Sequence, residues 1–206
     1  MTRLLGAVGL GYALGTVPSA DIAARLTSGG RVDLRRQGSR NPGAVNAARL
    51  LGANVGRAVT VADVAKGYAA AAAGRALAGD LGAHVGATSA VIGHCYPAWS
   101  GFSGGKGVAT SFGQCLYTFP VAAPLDLALA LGTARIPGLR RPGVVSTAVA
   151  TSAWLLLSVV WWRRRLKNSW GPEPSRALVV SNAVTACVIA TRFAAAHRRG
   201  HPDELG

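Results

Sequence analysis

Twenty consecutive residues, 143–162 (GVVSTAVATSAWLLLSVVWW), carry no charge, and this run limits the chain's folds more than any other feature. A helix of that length covers the hydrocarbon core of a bilayer. Trp161 and Trp162 close the run, and Arg163, Arg164, Arg165 and Lys167 follow. Aromatic residues succeeded by basic ones suit a membrane–water boundary. The competing reading is the core helix of a soluble protein. Half of the 206 residues are hydrophobic and 15% are charged, which favours the membrane.

Further apolar stretches predict helical spans near residues 4–24, 55–78, 82–97, 105–119, 120–134 and 177–196, with Pro120 dividing two short ones. No strand alternation interrupts them. The expected fold is therefore all-α: a polytopic integral membrane helix bundle of about seven transmembrane helices, forming one domain over residues 1–206. Residues 43–51 read as a short additional helix. The first apolar stretch is read as a retained helix rather than a cleaved signal, because its apolar character runs on toward Ala24.

The net charge of +14 gathers between apolar stretches, notably at residues 25–49 and 135–141. Such clusters attract anionic lipid heads and acidic substrates. Nucleic acid is the weaker reading, since no aromatic residues alternate with the basic ones. Cys95, Cys115 and Cys187 are scattered without metal-ligand spacing, so no metal site is read from them. The basic loop at 25–49 predicts a cytoplasmic face there, with Lys106 and the 135–141 loop on the same side. The same count puts Arg163 to Lys167 outside, against the usual bias. Asp126 lies within an apolar span and has no evident task.

Residues 93–110, GHCYPAWSGFSGGKGVAT, hold the densest chemical signal. Gly101, Gly104, Gly105 and Gly107 surround Lys106. Glycine lets a ligand approach the backbone, and successive N–H groups in such a loop can cradle an anion. Lysine adds a movable point charge for phosphate. A nucleotide-binding P-loop is excluded: Ser100 replaces its first glycine, and Gly107 stands where Ser or Thr must follow the lysine. The bland alternative is a glycine turn between helices with Lys106 solvated. A second polar loop, RVDLRRQGSRNPGAVNAAR at residues 31–49, offers Arg35, Ser39, Asn41 and Asn46, with Gly38 and Gly43 giving backbone freedom. Its bland alternative is a capped turn with Asn41 as the helix cap. Asp63 and Lys66 stand three residues apart and share a helix face, either as a structural pair or as part of a site.

These motifs resemble those of the PlsY family, bacterial membrane acyltransferases that use acyl phosphate and glycerol 3-phosphate. GHCYPAWSGFSGGKGVAT is similar to the family's GH-x-F/Y-P and GF-x-GGKG-V-A-T, and GSRNPGAVN to its G-S-G-N-x-G-A-T-N loop. GTVP at residues 15–18 is similar to G-S-I-P, with Thr16 for serine, and ADVAKG to D-x-x-K-G. The resemblance spans most of the chain. It implies a seven-helix fold in the bacterial plasma membrane, a site facing the cytoplasm, no metal or cofactor, and lysophosphatidic acid and phosphate as products. Acyl phosphate, glycerol 3-phosphate and membrane lipids are the implied partners, together with the enzyme that forms acyl phosphate.

Carried over by position, Lys106, His94, Ser39 and Asn41 are the implied catalytic residues. Thr16, Arg35, Gly38, Gly43, Asn46, Asp63, Lys66, Gly104, Gly105, Gly107 and Arg135 are the implied substrate-binding ones. Lys106 and the N–H groups of Gly104, Gly105 and Gly107 would hold one phosphate, while Arg35, Ser39 and Asn41 help with the other. His94 would orient the loop or touch substrate. The chain departs from the pattern at Arg40, Val45, Ser103, Phe193 and Ala196, and IPGLRRPG follows Arg135 in place of a tyrosine and serines. A relative that binds without turnover, or one with an altered substrate, is the competing class. A small transporter is a third, although no repeat symmetry is visible.

Overall fold

A computed structural model describes residues 1–198. It contains eight α-helices among the described residues: α1 (Thr2–Gly15), α2 (Ser19–Ser28), α3 (Ala44–Leu51), α4 (Ala53–Cys95), α5 (Val108–Thr118), α6 (Ala123–Ala134), α7 (Pro142–Arg164) and α8 (Arg176–Arg198). No strand occurs among these residues, as expected.

One expected boundary changes, and the expected break between the second and third spans holds. The first apolar stretch is cut at Thr16–Pro18 into α1 and α2. Pro18 lacks an N–H and disfavours helical backbone in the residue before it. The spans foreseen at 55–78 and 82–97 are two arms of α4, folded back on each other where Ala78 and Gly79 leave helical geometry. The arms approach so closely that a Cβ on Gly74 or Gly82 would strike the other arm's backbone. Contact between small residues is how helices pack where lipid removes the hydrophobic drive.

α4 is the hub: α1, α3, α5 and α8 all pack on it, and α6 reaches the bundle through α7. The interior is small and polar, with Thr16, Asn46, Asp63, Lys66, His84, Gln114 and Asn182 all buried. Large apolar side chains point outward instead, among them Leu156 at 68% and Val180 at 60% exposed. A surface of this kind suits lipid. Two helices, α7 and α8, are long and apolar enough to cross a membrane, and α6 is a shorter apolar helix.

The chain's turns sort to two ends. Residues 29–43, 96–107 and 135–141 share one end with the last turns of α8. The α4 fold-back, the α5–α6 turn and residues 165–175 occupy the other, tied together by Arg75 donating to the Trp170 carbonyl (3.2 Å) and by Asn168 donating to the Thr118 carbonyl (3.0 Å). The Arg163 to Lys167 cluster therefore lies opposite both glycine-containing loops.

Candidate active site

The first polar loop is braced from within. Asn46, on α3, accepts from the Ser39 N–H (3.0 Å) and donates to the Leu34 and Gln37 carbonyls (3.0 Å each). Its amide is spent on the loop, so the substrate-binding role expected of Asn46 gives way to a positioning one. Gly38 has φ of 59°, and a Cβ there would run into the Asn46 side-chain amide oxygen, Oδ1. Asn41 does not cap α3: the cap is Gly43, with no side-chain bond. Asn41 is buried against Gly43 and faces a cavity described below. Ser39 is buried within the loop and lines neither cavity.

Arg40 occupies the left-handed region at φ of 55°. That conformation costs an L-residue about 1–2 kcal/mol. Arg40→Gly is expected to raise stability by about 1 kcal/mol, after glycine's own entropy loss. Detergent-solubilised variants compared by SDS-driven unfolding check this, and an unchanged or lowered midpoint contradicts it.

The glycine-rich loop departs from expectation in one respect. The Gly104 N–H donates to the Cys95 carbonyl and the Gly105 N–H to the His94 carbonyl, both at 3.1 Å. These two donors are committed to the fold and are not offered to a phosphate. The glycines serve close approach instead, because a Cβ on Gly105 would strike the His94 imidazole. Arg192 from α8 clamps the loop by donating to the Gly105 carbonyl (3.1 Å) and the Gly104 carbonyl (2.5 Å). Gly107, at φ of 87°, caps α5, whose first-turn N–H groups have no partner within the helix. Half-buried Lys106 therefore stands directly before a helix start, with Nζ 4.8 Å from the Phe193 ring centre.

Arg35 joins the loops. Its guanidinium donates to the Ser103 carbonyl and pairs with Asp21 Oδ2 at 2.8 Å. Behind them lies a buried charge cluster. Lys66 Nζ is 2.9 Å from Asp63 Oδ1 and donates to the Val17 carbonyl at 3.1 Å. His94 Nδ1 is 3.7 Å from the same Asp63 oxygen. Val17 is available because the chain leaves helical geometry between α1 and α2.

Two cavities meet here. A narrow polar one of about 270 Å³ is lined by Thr16, Arg35, Lys66 and Gly105, together with Asp63 and His94. A wide one of about 1440 Å³ has Asn41, Gly43, Lys106, Asp63 and His94 at one end. Its remaining walls are largely apolar, with Phe112, Leu127, Leu131 and Trp154 among them. Asp63 and His94 line both.

Arg135 is not brought to this site. It is exposed at the end of α6, lines neither cavity, and donates to the Leu131 carbonyl of its own helix (3.1 Å). Sequence reasoning passed over Asp21 and met Arg192 only as the start of an eroded C-terminal pattern, with no site role. A lone cation near the end of an apolar span was the available signal for Arg192.

Residues 5–200 match the family described as Glycerol-3-phosphate acyltransferase. The chain belongs to this family. Among its acyltransferase relatives, the Ruegeria pomeroyi protein of that description is 38% identical over 158 residues, 76% of each chain. That of Exiguobacterium sibiricum is 38% identical over 136 residues, 66% of this chain and 65% of its own length. The fold is similar to crystal structures of PlsY (YgiH), an integral membrane glycerol 3-phosphate acyltransferase. The glycerol 3-phosphate form superposes with a TM-score of 0.75 at 28% identity, over 95% of this chain and 90% of that one. The lysophosphatidic acid form gives 0.76 at 26% identity with the same coverage. The resemblance carried by the GGKG and GSRN loops thus holds across the whole family match.

Proposed function

We propose that this acyltransferase moves an acyl group from acyl phosphate to the 1-hydroxyl of glycerol 3-phosphate, releasing lysophosphatidic acid and phosphate. The observation that carries this reading is the shared wall: Asp63 and His94 face both a small polar cavity and a large apolar one. A reaction between a small anion and an acyl chain needs such a junction.

The wide cavity would seat the acyl chain, with its reactive head at the Lys106 and Asn41 end. Among the described residues, Lys106 supplies the sole ammonium in that cavity's lining. The narrow cavity, with Lys66, Arg35 and Thr16, suits the glycerol phosphate. Phosphate leaves readily, so the transfer needs no strong general acid. The barrier lies in bringing two anions together and stabilising the carbonyl oxyanion, and fixed cations with helix-terminal N–H groups do both. The hydroxyl oxygen attacks the acyl carbon, the acyl–phosphate bond breaks, and the departing phosphate can take the hydroxyl proton. His94 holds the Gly105 backbone and borders both reactants, which serves orientation and contact alike.

In the same reading the chain is a multi-pass protein of the bacterial plasma membrane. Its seven crossings would be α1, the two arms of α4, and α5 to α8. The site end would face the cytoplasm, as the arginines of residues 25–49 favour. The enzyme that forms acyl phosphate is its proposed supplier.

The test is direct. Purified protein receives acyl phosphate and glycerol 3-phosphate, without acyl-CoA or added metal, and lysophosphatidic acid is followed. Turnover is expected. Binding of both ligands without product identifies a degenerate relative instead.

A further inference from the structure

The wide cavity has an end, and its walls show what closes it. Along α7 it is lined by Gly143, Ser146, Thr147, Ala150, Thr151 and Trp154. These positions recur at three- and four-residue steps, so they form one helix face. The first five side chains are small and leave room, whereas the sixth is an indole. Past Trp154 the same face carries Leu157 and Trp161, which no longer border the cavity and pack on a buried cluster instead. Cys115, the lining residue of α5 farthest from Lys106, belongs to that cluster together with Trp154, Phe119 and Leu178. On α6 the lining stops at Asp126, one turn short of Ala122 and Ala123 of the same cluster. All three helices thus cease to border open space where this cluster begins.

Trp154 is held in place. It is 4% exposed, its indole N–H reaches the Cys115 sulfur, and Phe119 and Leu178 in the same cluster are fully buried. A packed interior resists extra volume, because its side chains already touch. A methyl end that meets the indole therefore has nowhere further to go along α7. Helix rise sets the depth: Val108 to Cys115 spans roughly 10 Å and Gly143 to Trp154 roughly 16 Å. Carbon–carbon bonds of about 1.5 Å advance an extended chain by about 1.25 Å each, so these depths take about 8–13 carbons. The cavity also borders exposed Leu127 and Leu131 of α6, and a chain that turned sideways there would escape the indole and meet no upper limit.

We propose that Trp154 is the floor of the acyl seat and fixes the longest straight chain that this acyltransferase holds. This rests on the wide cavity being the acyl seat.

Saturated lysophosphatidates of even carbon number, from eight to twenty, are titrated calorimetrically into the purified full-length chain, and turnover of the matching acyl phosphates is followed in parallel. Affinity should hold or rise up to a limit, then fall roughly tenfold or more over the next two carbons, since a filled pocket discriminates against a single extra methylene. Trp154→Ala should move the limit to longer chains by roughly two carbons or more, because an indole covers as much surface as several methylenes. Ala150→Phe, one turn nearer the Lys106 end on the same face, should move it to shorter chains by a similar amount. A general loss of packing would weaken every length alike and leave the limit where it was. Should Trp154→Ala fail to fold, the shift in Ala150→Phe alone decides. A flat profile, no binding at any length, or a limit that the folded variants do not move overturns the inference. A limit that moves as described in a protein without turnover would defeat acyl transfer and leave the inference standing, whereas turnover with an immobile limit does the reverse.

Discussion

Replacing Lys106 with alanine should lower lysophosphatidic acid formation by about 10²–10³-fold, the range seen when a fixed electrostatic donor is removed from a transition state. The ammonium lines the polar end of the wide cavity, directly before the α5 N-terminus. Two anionic reactants must meet there, so the same charge that binds them also steadies the charge on the attacked carbonyl. The loop itself should survive. Its shape is held by the Gly104 and Gly105 N–H bonds and by Arg192, none of which uses the Lys106 side chain. The variant is therefore expected in the membrane at normal yield, with an unchanged elution profile. Lys106→Arg should recover only part of the rate, because a planar fork does not replace a point charge. Turnover at the level of the unaltered chain in Lys106→Ala would remove the central cation from the scheme.

What the sequence disclosed, and what it hid, follow from the range of the interactions. The GGKG loop, the GSRN loop and the Asp63–Lys66 face are local patterns, and each lands at the cavity junction in whole or in part. The break at Thr16–Pro18 was also local, since Pro18 announces it, but the unbroken apolar character on both sides masked it. Partners far apart in sequence were hidden. Arg192 reaches carbonyls 87 and 88 positions away. The Gly104 and Gly105 donors are taken by backbone that only the turn after α4 brings alongside. A glycine-rich string reads the same whether its N–H groups face a ligand or the fold. Asn46 shows the same ambiguity: a buried amide can contact substrate or brace a loop, and three bonds within the loop decide for bracing. Arg135 was carried by resemblance to a segment whose following residues differ here, and it ends outside both cavities.

The largest stability effect is expected at the buried pair. Lys66 and Asp63 side chains are 8% and 4% exposed, with 2.9 Å between Nζ and Oδ1. Asp63→Ala strands an ammonium whose other contact is the Val17 carbonyl, and it should cost about 3–5 kcal/mol. Lys66→Met strands the carboxylate, with only His94 nearby at 3.7 Å, and should cost a similar amount. Removing both charges in Asp63→Leu/Lys66→Met leaves nothing unpaired, because an apolar pair of similar volume often matches a buried ion pair. The double variant should therefore be more stable than either single one, a coupling that SDS-driven unfolding in micelles can measure as a double-mutant cycle. Activity should follow a different rule and stay lost in all three, since Asp63 borders both cavities and Lys66 provides charge in the narrow one. Additive stabilities would show that the two charges are independently solvated. A double variant that regained turnover would show that the pair only holds α4 to the break after α1. Stability restored without activity separates the pair's part in the fold from its part at the junction.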